Sequence, residues 1–122
     1  MVFYLITDLL AEALIAQGFY LKDAGLLDSA LNRPKATIFG EDAYESIELK
    51  AAAMTQSIIK NHPMVDGNKR SAWFALNAFL ELNGSTLAVS QEQAFDFVIG
   101  VATDLLLLED MAAWISAHRV SL

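Results

Sequence analysis

Ten consecutive residues in the middle of the chain, from His62 to Ser71, hold most of the side chains that could do chemistry. The segment reads His-Pro-Met-Val-Asp-Gly-Asn-Lys-Arg-Ser, so one loop carries a base, a carboxylate, a glycine, an amide and two adjacent cations. A helical pattern follows directly. The first N–H groups of a helix lack intrahelical partners, and the helix dipole favours negative charge there. Such a loop can bind an anion such as phosphate, here with a histidine beside it.

Three of these residues each allow a catalytic and a structural interpretation. His62 can accept a hydroxyl proton at neutral pH, although a lone histidine is more often structural. Asp66 could hold Mg²⁺ bound to phosphates, or it could be only the aspartate of an Asp-Gly turn. Gly67 permits close backbone approach or a positive φ, which a plain turn would also use.

The three residues that follow predict a helix start with a bound anion. Asn68 could cap the helix with its side chain or contact the ligand. The Arg70 guanidinium can bind two phosphate oxygens at once, and Lys69 adds a compact point charge. Cations at a helix N-terminus oppose the dipole, so this placement indicates a function that supplies an anion. Two histidines and no cysteine leave too few good ligands for a zinc site.

The charge distribution points to the same segment. The chain of 122 residues has a formal net charge of −7, so its surface as a whole should not attract a nucleic acid backbone. Residues 60–70, however, carry three cations against one carboxylate, while the flanking regions are both acidic. This single positive island coincides with the motif and predicts an anionic ligand.

Length and composition predict one domain with a single core. Apolar residues make up 55% of the chain, which fits either a compact helical domain or a surface partly covered by a partner chain. The absence of cysteine excludes a disulfide scaffold. No basic segment precedes the apolar N-terminus as in a signal peptide, and no apolar run approaches the about 20 residues that cross a bilayer. We therefore expect a cytoplasmic protein.

The periodicity of apolar residues predicts an all-α fold of six helices. Acidic Glu41 and Asp42 are expected at the start of the third helix. We expect Trp73, Phe74 and Phe79 in the core, and Leu105–Leu108 either in the core or in a groove for a partner helix. Ser90 and Gln93 form a predicted capping box, and His118 is expected to interact only with a helix dipole. The predicted helices span about 5–17, 24–31, 43–61, 68–82, 91–103 and 107–118, with a loop or hairpin at 34–40 and a short strand at 86–89.

The motif His62–Arg70 resembles the Fic motif, in which a histidine, a phenylalanine and an acid precede glycine, asparagine, glycine or lysine, and arginine. The chain as a whole resembles the small death-on-curing (Doc) toxins of that superfamily. Upstream, residues 23–31 with Arg33-Pro34 are similar to a segment of these toxins. Residues 49–52 and 79–84 and the chain length are also similar, so the resemblance covers essentially the full chain, 1–122, as one Fic/Doc domain.

The resemblance implies a specific activity within a type II toxin–antitoxin system. The protein would transfer the γ-phosphate of ATP to a threonine or serine hydroxyl of elongation factor Tu and so halt translation. His62 would deprotonate that hydroxyl, and Asp66 would hold Mg²⁺ or orient the acceptor. The Gly67–Asn68 backbone, with Lys69 and Arg70, would stabilise the transferred group. An antitoxin would neutralise the protein with a C-terminal segment that folds into a helix on an apolar groove.

Three positions bear on the alternatives. Most Fic proteins have glycine at the position of Lys69 and transfer AMP, whereas Doc-type toxins have lysine there and transfer phosphate. Met64 replaces the usual phenylalanine and can fill its volume flexibly, with some loss of loop rigidity. Ser71 replaces the commoner threonine. An AMP transferase and a non-catalytic phosphate-binding module remain the alternative functions.

Overall fold

A computed structural model describes all residues from Met1 to Leu122. Six helices confirm the predicted all-α class, and two small strand pairs accompany them. A 3₁₀ turn, Arg33–Lys35, follows the second helix. The helices are α1 (Thr7–Ala16), α2 (Ala24–Asn32), α3 (Ile47–Asn61), α4 (Asn68–Leu82), α5 (Gln91–Ala102) and α6 (Leu108–His118); the strands are β1 (Thr37–Ile38), β2 (Glu41–Asp42), β3 (Ser85–Leu87) and β4 (Arg119–Ser121).

Helix α3 lies at the centre of the domain. It packs against α2, α4 and α6, and more than half of its residues are buried. Three consecutive alanines, Ala51–Ala53, are fully buried, because side chains this small let neighbouring helices approach closely on several sides at once. The central helix therefore fixes the place where the motif loop begins, directly after its last residue.

The segment before α3 differs from the prediction. Glu41 and Asp42, expected at a helix start, form β2, which pairs antiparallel with β1 in a short hairpin. The helix begins at Ile47 because the Ser46 hydroxyl caps it, accepting a hydrogen bond from the Leu49 amide at 3.1 Å. The sequence predicts either a loop or a hairpin at residues 34–40, and a hairpin is observed. It extends further than predicted, because residues 41–42 form its second strand.

The C-terminal half also departs from the prediction in its strands. The expected strand at 86–89 is observed as β3, and its partner is β4, which the periodicity did not predict. The capping box of α5 is confirmed: the Ser90 hydroxyl accepts from the Gln93 amide, and the Gln93 side chain accepts from the Ser90 amide. None of the helices is long and apolar enough to cross a membrane.

The predicted core residues are confirmed in part. Phe79 is buried, and Trp73 and Phe74 are half-buried against the core. Leu105 and Leu107 are exposed, so the core interpretation is wrong for these two positions. His118 does more than face a helix dipole: its ring packs against Trp114, with centroids 4.4 Å apart and the ring planes tilted by 35°.

Candidate active site

The motif loop starts at His62, whose backbone has the left-handed conformation. His62 ends α3 with φ +52° and ψ +59°, a conformation that few non-glycine residues adopt. Its amide still donates to the Ile58 carbonyl at 3.3 Å, so the backbone leaves the helix at a defined angle. Pro63, which is buried, stiffens the next position. The imidazole is exposed as a result and faces a cavity.

The loop backbone is held by the segment that precedes α2. The Pro63 carbonyl accepts hydrogen bonds from the Lys22 and Asp23 amides at 2.9 and 3.0 Å. The Val65 amide donates to the Tyr20 carbonyl at 2.9 Å. Three main-chain bonds to another segment make the loop a rigid platform, since its carbonyls and amides cannot rearrange without losing these bonds.

Asn68 and Met64 fix the middle of the loop to the start of α4. The Asn68 side-chain oxygen accepts from the Met64 amide at 2.9 Å, and its side-chain nitrogen donates to the Met64 carbonyl at 3.2 Å. Met64 is only 1% exposed, so it fills the position of the usual phenylalanine in the core. Of the two alternatives for Asn68, the capping role is wrong: the N-cap residue is Gly67, and the Asn68 side chain instead points back to the loop.

Gly67 occupies a position where a larger residue would not fit. Its φ is +73°, and a Cβ atom there would lie 2.8 Å from Phe19 Cε1 and 3.0 Å from Arg70 Nη2. The Gly67 amide donates to Asp66 Oδ1 at 2.8 Å, so one carboxylate oxygen of Asp66 is held by the amide of the next residue. The other carboxylate oxygen of Asp66 is not used by this bond.

The start of α4 offers three main-chain donors. The first intrahelical bond runs from the Ser71 amide to the Gly67 carbonyl at 2.8 Å. The amides of Asn68, Lys69 and Arg70 therefore precede the hydrogen-bonded part of the helix and remain available to a ligand. With the helix dipole, they favour an anion at this point.

The motif residues line a cavity of about 600 Å³. All six residues predicted for the site, His62, Asp66, Gly67, Asn68, Lys69 and Arg70, line it. The structure adds Lys60, which the sequence reasoning placed only in the basic island. Its ammonium lies 2.6 Å from the Asp104 carboxylate and 3.3 Å from the Ala102 carbonyl. The remaining lining residues are Ile59, Val65 and Ala102.

The acidic residues near the cavity do not form a metal cluster. No group of three or more His, Cys, Asp or Glu side chains converges anywhere in the chain. Asp66 is the single carboxylate in the cavity lining. Its Oδ1 atom accepts a hydrogen bond from the Gly67 amide, and its other oxygen takes no part in that bond. A hard cation that keeps one protein carboxylate and takes its other ligands from phosphates and water fits this donor set, whereas a cation held by protein alone does not.

The geometry is that of an all-helical domain with a basic, glycine-containing cavity at a helix N-terminus. The comparisons with known proteins agree: the chain belongs to the Fic/Doc family. The model of the Fic/DOC family matches residues 3–80, which include the complete motif. A protein named Toxin Doc, from Mycolicibacterium smegmatis, is 47% identical over 110 residues, covering 87% of this chain and 85% of that protein.

Proposed function

We propose that the protein is a toxin that transfers the γ-phosphate of ATP to a threonine or serine hydroxyl of elongation factor Tu. The family membership and the similarity to a protein named Toxin Doc support the toxin assignment. One observation carries the chemistry: His62, three unpaired main-chain amides and two cations meet in one cavity. This is the set of groups that phosphoryl transfer needs, because its catalysis is mainly positioning and charge stabilisation.

The phosphate to be transferred lies at the N-terminus of α4. The amides of residues 68–70 donate to its oxygens, and Arg70 supplies a bidentate, permanently charged partner. Gly67 leaves room for the side chains of Phe19 and Arg70, because a Cβ atom there would lie within about 3 Å of both. These donors are fixed before the substrate binds, so they stabilise the charge that develops on the transferred group at little reorganisation cost.

His62 acts as the general base. It takes the proton of the acceptor hydroxyl while the hydroxyl oxygen attacks the γ-phosphorus. The bond between that oxygen and phosphorus forms as the bond between the γ-phosphorus and the β-γ bridging oxygen breaks, and ADP leaves with the electron pair. The imidazole is suited to this role because it is exposed on a rigid, left-handed turn rather than buried in the core.

Asp66 is the residue that would hold Mg²⁺ together with the nucleotide phosphates. A bound Mg²⁺ would neutralise phosphate charge and help to orient the leaving group. The chain's own contribution is the Asp66–Gly67 turn, which keeps the carboxylate beside the amides that bind the phosphate. Its unused oxygen is available to the cation.

Lys69 supports phosphate transfer over AMP transfer. It lies in the cavity lining at the position where AMP-transferring relatives have glycine, so its side chain occupies space that a diphosphate would otherwise take. A nucleotide excluded from that orientation presents its terminal phosphate to the amides instead. AMP transfer is the second candidate function, and only the side chain of Lys69 weighs against it.

We further propose that an antitoxin helix binds the groove between α1 and α4. This cavity of about 470 Å³ has an entirely apolar lining, and Ile6 and Leu9 are exposed beside it. Phe3, which lines the groove, is fixed by Asn83: the Asn83 side chain accepts a hydrogen bond from the Phe3 amide and donates one to the Phe3 carbonyl. An amphipathic helix would cover this surface, which explains part of the high apolar content. Like its substrate, the protein would act in the cytoplasm.

The test uses ATP labelled at either the α- or the γ-phosphate, incubated with elongation factor Tu and Mg²⁺. The proposal expects label on the target only from γ-labelled ATP, and none when His62 is replaced. Label from the α-phosphate would instead establish AMP transfer. No label from either form, with nucleotide bound, would establish a non-catalytic binding module.

A further inference from the structure

The cavity at the motif loop contains a third cation that the proposed reaction does not yet use. Lys60 belongs to the last turn of α3, two residues before His62, whereas Lys69 and Arg70 belong to the first turn of α4. All three cations line the cavity, and Asp66 is the single carboxylate among its lining residues. Positive charge therefore reaches the cavity from two separate elements of its wall.

The ammonium group of Lys60 is held at the cavity wall by the C-terminal end of α5. It donates to the Ala102 carbonyl at 3.3 Å and pairs with the Asp104 carboxylate at 2.6 Å. Ala102 lines the cavity together with Lys60, so the bond between them lies at the wall, while Asp104 is outside the lining. An ammonium group has three N–H donors, and these two contacts leave one of them for a ligand.

Stability alone is a weak reason for this arrangement. The Lys60 side chain is 37% exposed and that of Asp104 is 70% exposed, and water screens an ion pair as accessible as this one. What the pair does achieve is to fix the position of a charge on a flexible four-carbon stem. A fixed ammonium group loses less conformational entropy when an anion binds to it.

We infer that Lys60 binds the phosphates of the donor that are not transferred. The inference rests on the proposed function, which places the transferred phosphate at the amides of α4 and at Arg70. The rest of a triphosphate chain must then lie elsewhere in the same cavity, and Lys60 is the cation on the second wall. An ammonium group suits this role, because it binds phosphate as a point charge without demanding one geometry.

The first test measures the affinity for inorganic tripolyphosphate by calorimetry in excess Mg²⁺. Lys60→Met keeps most of the side-chain volume but removes the charge, and it should weaken binding by about tenfold, as loss of one hydrogen bond to a charged group does. Lys60→Arg keeps a cation at this position, so its affinity should stay within about threefold of wild type.

Two controls separate direct contact from a change in net charge. Lys60→Met combined with Asp104→Asn has the net charge of the wild-type protein, and it should still bind about tenfold more weakly, because the ammonium group is missing. Lys35→Met loses one positive charge as well, but Lys35 lies outside the cavity lining, with its ammonium 5.4 Å from the centre of the Tyr4 ring. It should bind tripolyphosphate as the wild-type protein does.

The second test separates Lys60 from the residues that act on the transferred group. A phosphate that is not transferred is bound to a similar extent before and during the reaction, so its loss raises KM and spares kcat. Lys60→Met should therefore raise the KM for ATP by about tenfold and keep kcat within about threefold of wild type, measured with γ-labelled ATP.

Three results would overturn the inference and leave the proposed function standing. The first is an unchanged tripolyphosphate affinity in Lys60→Met. The second is wild-type affinity in the charge-matched double variant, which would assign the loss in Lys60→Met to the unpaired charge of Asp104. The third is a lower kcat at an unchanged KM, which would place Lys60 at the transferred group. Failure of the wild-type protein to bind tripolyphosphate would instead remove the phosphate site, and with it both proposals.

Discussion

Arg70 lies over the ring of Phe19, with its guanidinium carbon 5.4 Å from the ring centroid. Phe19 directly precedes the segment whose main chain is bonded to the motif loop. The same stretch of chain therefore fixes both the loop backbone and the direction of the arginine that should bind phosphate. Gly67 lies against both side chains and leaves room for this stacking. The orientation of Arg70 thus depends on a residue about fifty positions away in the sequence.

Gly67→Ala should weaken transfer and stability together. The new Cβ atom would approach Phe19 and Arg70 within about 3 Å, so the arginine must move, and the positive φ adds strain of about 1–2 kcal/mol. We expect transfer to fall by about tenfold or more, measured with γ-labelled ATP. The free energy of unfolding should fall by about 2–4 kcal/mol in urea titrations.

Gly84→Ala is the control for backbone strain. Gly84 also has a positive φ, +87°, but nothing lies within 4 Å of the atom that would be added. This variant should lose about 1–2 kcal/mol of stability from strain alone and keep full transfer activity. Identical behaviour of the two variants would show that the contacts of Gly67 with Phe19 and Arg70 are unimportant.

Arg70→Ala should lower the rate of transfer by about 10²–10³, the usual loss when a group that stabilises developing charge is removed. Arg70→Lys keeps the charge but not the planar fork, so we expect an intermediate rate. Stability should change little, because the guanidinium is exposed at the surface. Steady-state kinetics with a circular dichroism melt check both points, and a rate for Arg70→Ala within about threefold of wild type would contradict the assignment.

His62→Asn should abolish most of the transfer and preserve the fold. Asparagine tolerates the left-handed backbone of this position better than alanine, so it isolates the loss of the base from backbone strain. Loss of a general base lowers rates by about 10²–10⁴. ATP binding, measured by calorimetry, should be unchanged. Wild-type rates in this variant would show that another group accepts the proton.

Lys50→Met tests the anchor of the hairpin. Lys50 is only 1% exposed, yet its ammonium donates to the Asp42 carboxylate at 3.0 Å and to the Tyr44 carbonyl. Removing it breaks both bonds between α3 and the base of the hairpin. We expect a loss of about 1–3 kcal/mol in unfolding free energy and faster amide exchange in residues 37–42.

Asp42→Asn completes this test. It removes the charge of the partner while the ammonium stays buried, so it should cost at least as much stability as Lys50→Met, because an uncompensated buried charge is expensive. A smaller loss in Asp42→Asn than in Lys50→Met would indicate that the Tyr44 carbonyl alone satisfies the lysine.

The sequence predicted the helices well because their signals are local. Apolar periodicity, Ser90 and Gln93 at a capping box, and the proline after His62 each act within a few residues. The strands were less predictable. Asp42 looks like a helix-start residue, but a contact with buried Lys50 holds it in the hairpin. The last strand, β4, exists only because β3 lies beside it, and no local pattern encodes that pairing.

In the candidate site, too, the features encoded by neighbouring residues were predictable and the long-range contacts were not. The six site residues predicted from the motif are close in sequence, and all six line the cavity. For Asn68 the sequence left capping and ligand contact open, and it did not predict the observed bonds to the Met64 main chain, because a residue next to a helix start can serve any of these roles. Lys60 and Phe19 were missed as contributors because their places depend on Asp104 and on the packing of the N-terminal segment, which are distant in sequence.

Lys69→Gly should change the reaction. Removing the side chain frees space beside the amides of α4, so a nucleotide could bind with its α-phosphate at the site of transfer. We expect γ-phosphate transfer to fall and labelling of the target from α-labelled ATP to appear. Lys69→Met, which keeps most of the volume but not the charge, should lower the rate without producing α-label. Equal α-label from both variants would show that charge, rather than volume, directs the nucleotide.

The most direct measurement is the intact mass of elongation factor Tu after incubation with the protein, ATP and Mg²⁺. The wild-type protein should add the mass of one phosphate, and His62→Asn should add nothing under the same conditions. Addition of an adenylate mass, or an unchanged target in the presence of protein that binds ATP, would contradict phosphoryl transfer at the motif loop.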